Sequence, residues 1–372
     1  MSVVYYKMDI LARVAAGFCP NAEQLLFLLF YSKMPDMEII TIDQSDRWDA
    51  WLLEQQGSFL QSWGWGEVLR AEGKEVERLA VVDAGQVVAQ AQVIYQNLPF
   101  GWRYGFCAKG PVFRKNEEVR MKNEEYILLI NFLKEKSCIF FRIEPLQATS
   151  YKLQATVRDI NPRTTTILDL SKSEDELLGA MQKKTRYSIR TAESKQVTVS
   201  NKKDVQVLWQ LLQQTGKRDK FNLHPKRRYE SVLASTLSHQ IAAFQGDKVV
   251  ATAIFVGFGN TFTYLYAASD YEYHDLLAPY LIQWEAIKLA KKLGYKQYDF
   301  FGIAPRKHDT RDTQNGTGGN YDYDRKHPYA GITKFKIGFG GEVVESPGTF
   351  DIILNSTSYH LYSWLRRLRR LV

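Results

Sequence analysis

The sequence predicts an α/β protein built from two similar modules, and three observations support this prediction. The chain of 372 residues is too long for one ordinary domain and suggests about two. Helix and strand patterns alternate in the same order in both halves, as they do in layered α/β folds. A Val-Val-Ala-x-Ala pattern also follows a glycine-containing turn in each half, within GQVVAQAQVI and GDKVVATAIFV, which favours a duplicated module.

The first half has apolar spacing typical of helices and short β-rich runs typical of strands. The predicted elements are, in order, a strand in EIITI, helices in SDRWDAWLLEQ and GSFLQSWGWGEVLRAEG, and a hairpin in VERLAVVDAGQVVAQAQVIYQ. We expect this hairpin to turn at Ala84-Gly85. Strands in WRYGFCAKGPVF and CIFFRIEP then flank a helix in EEYILLINFLKEK.

The second half repeats this order. A strand in TTTILDL precedes helices in SEDELLGAMQKKTRYSIRTAESK and DVQVLWQLLQQTGKRD, and a hairpin in HQIAAFQGDKVVATAIFVGFG turns at Gly246-Asp247. A strand in NTFTYLYAAS, a helix in LAPYLIQWEAIKLAKKLG and a strand in KQYDFFGI follow. A long polar loop covers residues 309–328, and loops of this length are often functional. The chain ends in an amphipathic helix, and we expect its apolar stripe, formed by Leu361, Trp364, Leu365 and Leu368, to be buried and its arginines to be exposed.

Composition narrows the class of protein. The net charge of +8 favours polyanionic partners, although an ordinary basic protein also fits it. The three scattered cysteines argue against a disulfide scaffold or a zinc site and indicate a reducing cytoplasm. The sequence thus predicts neither a metal nor a cofactor. Residues 1–36 carry an apolar run too short to span a bilayer, and we interpret them as an N-terminal extension without fixed order.

Motifs for covalent acyl-enzyme and nucleotide-binding chemistry are missing, because the sequence contains no GxSxG, Walker A or GxGxxG pattern. The duplicated module resembles the GNAT acyltransferase fold, in which backbone N–H groups at a helix start hold acyl-CoA. Here Leu277, Ala278 and Pro279 occupy that helix start, and Pro279 has no N–H to donate. This argues against acyl-CoA in the second module.

A more specific resemblance rests on eight motifs that occur in order: FLQSWGWGEVLR, YGFCAKGPVF, FRIEP, KKTRYSIRTAE, TGKRDKF, YLYAAS, YDFFGIAP and HPYAGITKFKIGFGGE. Together they resemble the FemABX family of peptidoglycan peptidyltransferases, from about Met37 to the C-terminus. The resemblance implies two tandem GNAT-like modules with mixed sheets flanked by helices, at 37–162 plus 343–372 and at 163–342. The sequence resembles the members of the family that lack the coiled-coil arm found in others.

The resemblance implies an enzyme that takes an amino acid from aminoacyl-tRNA and adds it to the stem-peptide amine of a peptidoglycan precursor. The acceptor is either lipid II or UDP-MurNAc-pentapeptide, and glycine, alanine and serine all remain open as the transferred residue. We expect a cytoplasmic monomer, with a peripheral contact to the inner face of the membrane left open. The alternatives are an acyl-CoA N-acyltransferase and a non-catalytic protein that binds the precursor or tRNA.

Lys336, in KFKIGFGG, is the catalytic candidate. An aminoacyl ester is already activated, so a neutral amine can attack it directly, and a positioned cation that stabilises the oxyanion is sufficient. The resemblance implies that the lysine of this Phe-Lys pair lies near the tRNA acceptor end and the ester, where its cation would face either the oxyanion or the terminal phosphate. The alternative is that Lys334 and Lys336 form the solvent face of an alternating strand.

The remaining candidates would bind substrates. By resemblance, Arg70 is placed for the precursor diphosphate. Lys109 is a second candidate, because Gly110 and Pro111 after it indicate a bent strand end where a side chain can face a cleft. By resemblance, tyrosines 264 and 266 line the precursor cleft, and they would share one sheet face by their period of two. The cations Arg186 and Arg190 share a helix face and could hold phosphate, although a solvated face fits them equally well. A further basic region contributes His224, Arg228 and Tyr229.

Overall fold

The computed structural model describes residues 37–115, 119–147, 153–156, 159–219, 222–307 and 321–368. Within these ranges, helices alternate with strands that form two mixed sheets, which confirms the predicted α/β class. The predicted extension at residues 1–36 lies outside the described residues, as does most of the 309–328 loop.

The first half contains strands and helices in the predicted order. Its strands are β1 (Glu38–Thr41), β2 (Glu75–Asp83), β3 (Gln86–Asn97), β4 (Arg103–Cys107), β5 (Val112–Phe113), β6 (Cys138–Ile143) and β7 (Gln154–Ala155). Its helices are α1 (Ser45–Glu54), α2 (Trp63–Ala71) and α3 (Val119–Glu135), with short 3₁₀ turns at Phe59–Gln61 and Pro99–Gly101.

The second half follows the same plan and ends with a returning segment. Its strands are β8 (Thr164–Asp169), β9 (Thr198–Ser200), β10 (Ser238–Gln245), β11 (Lys248–Phe258), β12 (Thr261–Ser269), β13 (Gln297–Asp299), β14 (Glu342–Glu345) and β15 (Phe350–Ile353). Its helices are α4 (Glu174–Ala180), α5 (Lys183–Ser194), α6 (Val205–Asp219), α7 (Lys226–Ala234), α8 (Ala278–Lys292), α9 (Ala330–Ile337) and α10 (Ser356–Leu368).

The two sheets share one topology. In the first sheet the strand order is β1-β2-β3-β4-β6-β15-β7, with β5 paired on β3, and in the second it is β14-β8-β13-β12-β11-β10-β9. In each sheet an antiparallel hairpin is followed by an antiparallel strand, and a helix then crosses over to a parallel strand: β4 to β6 through α3, and β12 to β13 through α8. The repeated crossover is the structural form of the repeat seen in the sequence.

The repeated hairpins turn where the sequence predicts. Asp83 pairs with Gln86 across Ala84-Gly85, and Gln245 pairs with Lys248 across Gly246-Asp247. Ala84 and Gly85 both have positive φ angles, of 45° and 77°, as a two-residue turn that matches the strand twist requires. These turns place both Val-Val-Ala-x-Ala patterns at the start of a buried central strand.

A shared core joins the two halves. One buried apolar cluster contains Leu60 and Trp65 from the first half together with Leu211, Tyr229 and Ile254 from the second. Helices α2 and α7 pack against each other across this junction. The two sheets are therefore connected through a continuous hydrophobic interior, and a cleft between them has fixed walls.

The C-terminal segment returns to the first sheet. Strand β14 pairs with β8 in the second sheet, whereas β15 pairs with β6 and β7 in the first. At the join, the Arg142 guanidinium donates to both carboxylate oxygens of Asp351, at 2.7 and 2.8 Å, and Tyr359 donates to the same carboxylate. The side chains of this ion pair are only 5% and 3% exposed.

Helix α10 packs by a face other than the predicted one. The rings of Tyr359 and Tyr362 contact Phe140 of β6, whereas Leu361 and Trp364 are 44% and 56% exposed. The predicted burial of the leucine and tryptophan stripe is therefore wrong for these residues, because aromatic packing on Phe140 sets the rotation of the helix. The Leu368 side chain lies outside the described residues.

The Arg142–Asp351 pair should contribute strongly to stability, because removing one partner leaves a buried charge uncompensated. We expect Asp351→Ala to lower the free energy of unfolding by about 3–5 kcal/mol. Glu285→Ala, which breaks the more exposed Lys288–Glu285 pair, should change it by less than about 1 kcal/mol. Urea denaturation measures both, and equal losses would contradict the structural role of the buried pair.

Candidate functional site

A cleft of about 760 Å³ opens between the two modules. Strands β3 and β4 and helix α2 of the first module form one wall, and the second module supplies the other. Residues that face the cleft from the first side include Trp65, Glu72, Lys74, Gln96, Tyr104 and Phe106; those from the second side include His224, Arg227, Arg228, Tyr266, Phe301, Gly302 and Lys336. Its mixed apolar and polar lining is typical of a substrate site.

Lys336 lies at the inner end of this cleft. It belongs to helix α9, so the alternative of a solvent-facing strand is wrong, and its side chain is almost fully buried, at 5% exposed. The Nζ atom donates to the backbone carbonyl oxygens of Phe301 and Gly302, at 2.8 Å for Gly302. Burial lowers the Lys336 pKa to about 7, which the charge of Asp299 only partly offsets.

Backbone conformation aims these carbonyls at the lysine. Phe301 and Gly302 both lie in the left-handed region, with φ angles of 49° and 53°. A Cβ at Gly302 would also lie 2.7 Å from the Pro162 ring, so only glycine fits there. The Phe301 conformation costs about 1 kcal/mol or more and is stabilised by its N–H, which donates to Asp299 at 2.7 Å.

Asp299 interacts electrostatically with Lys336 and with a second, half-buried lysine, Lys109. Burial raises the Asp299 pKa, while a hydrogen bond from Thr165 and the charges of Lys336 and Lys109 oppose that rise. Lys109 donates to the Pro162 carbonyl at 2.9 Å and to Ser346 at 3.1 Å, and burial lowers its pKa. Lys109 faces a neighbouring cavity of about 280 Å³ and not the main cleft.

The predicted shared face of tyrosines 264 and 266 is wrong, because a β-bulge interrupts the alternation. Ile254 pairs with Tyr266 and Phe255 with Tyr264, which leaves Leu265 without a register partner on β11. Tyr266 therefore lines the cleft, whereas Tyr264 lines a separate cavity of about 310 Å³. Both stay near the site, since the Lys336 Nζ lies 5.3 Å from the centre of the Tyr264 ring.

Within the predicted group of His224, Arg228 and Tyr229, Arg228 connects the two modules. Arg228 makes two hydrogen bonds to Glu72 of the first module, and its Nη1 also approaches the Tyr266 hydroxyl at 3.4 Å. The buried Tyr229 hydroxyl accepts from the His224 backbone N–H. Desolvation and the Arg228 charge lower the His224 pKa, so this imidazole is neutral at pH 7.

Three predicted phosphate ligands lie elsewhere. Arg70 is not among the residues lining the cleft and pairs with Glu67, while its guanidinium also donates to the Val76 carbonyl. Arg186 donates to carbonyls at the end of helix α4, including those of Leu178 and Gly179, a common role for arginine at helix C-termini. Arg190 is exposed on the outside of α5.

The structure also brings forward Lys74, which sequence reasoning missed, and Arg227, which belongs to the same predicted basic region as His224 and Arg228. Lys74 and Arg227 line the cleft from opposite modules, and neither side chain forms an ion pair or hydrogen bond with another described residue. Asp299 lies within the quoted YDFFGIAP motif, so a single acid in an otherwise apolar and aromatic run was the available signal. No sequence signal placed Lys74 and Arg227 in one cleft, because the cleft exists only where the two modules pack together.

Within the described ranges, no group of three His, Cys, Asp or Glu residues could hold a metal ion. In the same part of the chain, every helix is too short or too polar to cross a bilayer.

Comparisons with known proteins agree with this architecture. Lipid II:glycine glycyltransferase of Staphylococcus epidermidis is 22% identical over 390 residues, covering 82% of this chain and 90% of that protein. The Staphylococcus aureus enzyme of the same name is 24% identical over 395 residues, with the same coverage. A crystal structure of FemX superposes with a TM-score of 0.70 at 19% identity, over 87% of this chain and 99% of that one.

The structure of L-PGS from Bacillus licheniformis is a more distant fold relative, with a TM-score of 0.51 and 14% identity, over 89% of this chain and 98% of that one. The model of the FemAB family matches residues 44–158, 146–235 and 233–367, which together span most of the sequence. The chain belongs to the FemAB family.

Proposed function

We propose that the protein transfers an amino acid from aminoacyl-tRNA to the stem-peptide amine of a peptidoglycan precursor. The observation that carries this proposal is the buried Lys336 amine, which faces a cleft that both modules form. Relatives named lipid II:glycine glycyltransferase support the acceptor class. Lipid II is therefore the preferred acceptor, and glycine, alanine and serine are the donor residues to test.

In the proposed reaction, the neutral acceptor amine attacks the ester carbonyl and forms a C–N bond. The resulting tetrahedral oxyanion collapses, the C–O bond to the terminal ribose breaks, and the proton lost by the amine ends on the ribose oxygen. No covalent enzyme intermediate is required. The protein aligns the two substrates and stabilises the oxyanion.

Lys336 is suited to the oxyanion role. An ammonium carries three N–H donors, and the carbonyls of Phe301 and Gly302 accept two of them. The third N–H remains for the oxyanion in the cleft. Because its position is set by backbone carbonyls, the cation needs little rearrangement when negative charge develops.

Lys74 and Arg227 are proposed to bind the precursor diphosphate. They approach the cleft from opposite sides, and arginine in particular matches phosphate geometry. Arg228 is less suited to this role, because Glu72 already neutralises it. It instead holds the two walls of the cleft together.

The proposed oxyanion role of Lys336 can be tested by substitution. Lys336→Met should lower kcat by about 10²–10³, the usual loss for one oxyanion donor, with the KM for the precursor nearly unchanged. Lys334→Met is the matched control, because Lys334 is exposed on the same helix, and it should retain wild-type activity. Steady-state assays with charged tRNA and lipid II measure both variants after circular dichroism confirms folding. Near-wild-type turnover of Lys336→Met would contradict the assignment of Lys336 as the oxyanion donor.

The pH dependence of turnover tests the same role of Lys336. With a Lys336 pKa of about 7, the ammonium population falls as pH rises through neutrality. The ratio of wild-type to Lys336→Met turnover should therefore fall above about pH 7, and this ratio cancels the ionisation of the acceptor amine. A ratio that rises with pH would show that the Lys336 lone pair acts as a base, contrary to the proposal.

Binding of the precursor diphosphate by Lys74 and Arg227 can be tested by substitution as well. Lys74→Met and Arg227→Met should each raise the KM for the precursor about tenfold, because a hydrogen bond to a charged group contributes about 1.5–3 kcal/mol, and kcat should hardly change. Arg70→Met serves as the comparison, since Arg70 does not line the cleft. If Arg70→Met alone raises KM, the diphosphate binds outside the cleft. Acetyl transfer from acetyl-CoA without tRNA would instead favour the acyl-CoA alternative.

A further inference from the structure

Helix α10 presents two large apolar side chains, Leu361 and Trp364, that are about half exposed. Leu361 and Trp364 are one turn apart and are 44% and 56% exposed, although the helix is anchored through Tyr359 and Tyr362. Large exposed apolar side chains on an otherwise packed helix are costly in water and often mark an interaction surface. The stripe therefore calls for an external partner.

A second exposed aromatic side chain, Phe100, lies near the apolar cluster on which helix α10 packs. Phe100 is 72% exposed at the turn between β3 and β4 and has a left-handed φ of 64°. Its ring contacts Trp102 at 5.3 Å between centroids. Trp102 in turn packs against the small cluster that contains Phe140 and Tyr359. Phe100 and helix α10 thus flank one apolar cluster on the first module.

The charge around this surface is positive. Arg366 and Arg367 are exposed at the end of α10, and the sequence from Ile352 to Val372 contains four arginines and no acidic residue. On the neighbouring strands, the Glu75 carboxylate is paired with Arg103. Exposed aromatic and leucine side chains beside clustered arginine match an anionic lipid surface, because the rings enter the interface and the cations meet the headgroups.

The surface adjoins the cleft. Strands β3 and β4 line the cleft through Gln96 and Tyr104, and Phe100 lies at the turn that joins these two strands. Tyr104 also stacks on Phe140, with ring centroids 4.5 Å apart, and Phe140 is the residue on which α10 packs. A membrane bound at this surface would lie beside one wall of the cleft.

We propose that Phe100, Leu361, Trp364, Arg366 and Arg367 form a docking surface for anionic phospholipid bilayers. This inference deepens the proposed function and rests on it in one respect: docking would bring the cleft to an acceptor whose diphosphate is attached to a membrane lipid. The docking itself requires neither substrate. It can therefore be tested independently of aminoacyl transfer.

The test is flotation of the full chain with vesicles of equimolar phosphatidylglycerol and phosphatidylcholine, compared with pure phosphatidylcholine vesicles. We expect the wild type to float with the anionic vesicles and to dissociate as salt is raised. Leu361→Ser combined with Trp364→Ser should lower the partition coefficient about tenfold or more, because two interfacial apolar side chains are lost. Arg366→Gln with Arg367→Gln should lower it by a similar factor on anionic vesicles only.

Matched controls separate this surface from general stickiness and charge. Leu293→Ser removes an apolar side chain that is 48% exposed on the second module, and Lys183→Gln with Lys184→Gln removes two exposed cations of α5. Both should bind vesicles like the wild type. Equal binding by the Leu361/Trp364 variant and the wild type would overturn the proposal. So would a wild-type dimer that this variant disperses in light scattering, because the stripe would then be an interface between copies.

Activity distinguishes failure of this proposal from failure of the proposed function. The Leu361/Trp364 variant should transfer the amino acid to water-soluble UDP-MurNAc-pentapeptide as fast as the wild type does, but should lose rate on lipid II in anionic vesicles. If transfer fails with every acceptor while vesicle binding persists, the proposed function is wrong and the docking surface stands. If both proteins use vesicle-bound lipid II equally well, the docking surface has no role in reaching the acceptor.

Discussion

The geometry of the candidate site depends on one buried amine held by two backbone carbonyls. Placing the Lys336 Nζ in the interior removes it from water, and the carbonyls of Phe301 and Gly302 replace the lost hydrogen bonds. Those carbonyls point inward only because two consecutive residues adopt left-handed backbone conformations. Asp299 then stabilises the turn through the Phe301 N–H. The strained backbone, the position of Asp299 and the lowered lysine pKa are thus parts of one local arrangement.

The second constraint is that each module supplies only half of the cleft. Apolar residues of both halves form one core, and the bond between Glu72 and Arg228 crosses the cleft beside that core. Because a buried ion pair loses stability sharply when one partner is removed, this contact also holds the distance between the walls. Strand β15 follows the second module in the chain but joins the first sheet. The first module is therefore formed by two separate segments of the sequence.

Much of the architecture was predictable because local signals determine it. Two-residue turns at Ala84-Gly85 and Gly246-Asp247 need residues that accept positive φ or a tight turn, and the strands around them carry alternating or continuous apolar runs. Local spacing also has limits, as tyrosines 264 and 266 show. The rule of period two failed for this pair because a bulge at Leu265 turns Tyr266 to the other side, and nothing in YLYAAS marks that bulge.

The sequence by itself determined the fold class, the duplicated order of elements and Lys336 as a candidate, because these follow from local periodicity and from ordered motifs. Only the tertiary structure decided which cations reach the cleft. The guanidinium of Arg186 donates to the end of helix α4 and Arg70 pairs with Glu67, whereas Lys74 and Arg227 line the cleft from opposite modules. The rotation of α10 was also decided by packing on Phe140. The physical reason is that the local sequence shows only that a residue is charged or apolar. Which residue it contacts depends on segments that are far apart in the chain and meet only in the folded structure.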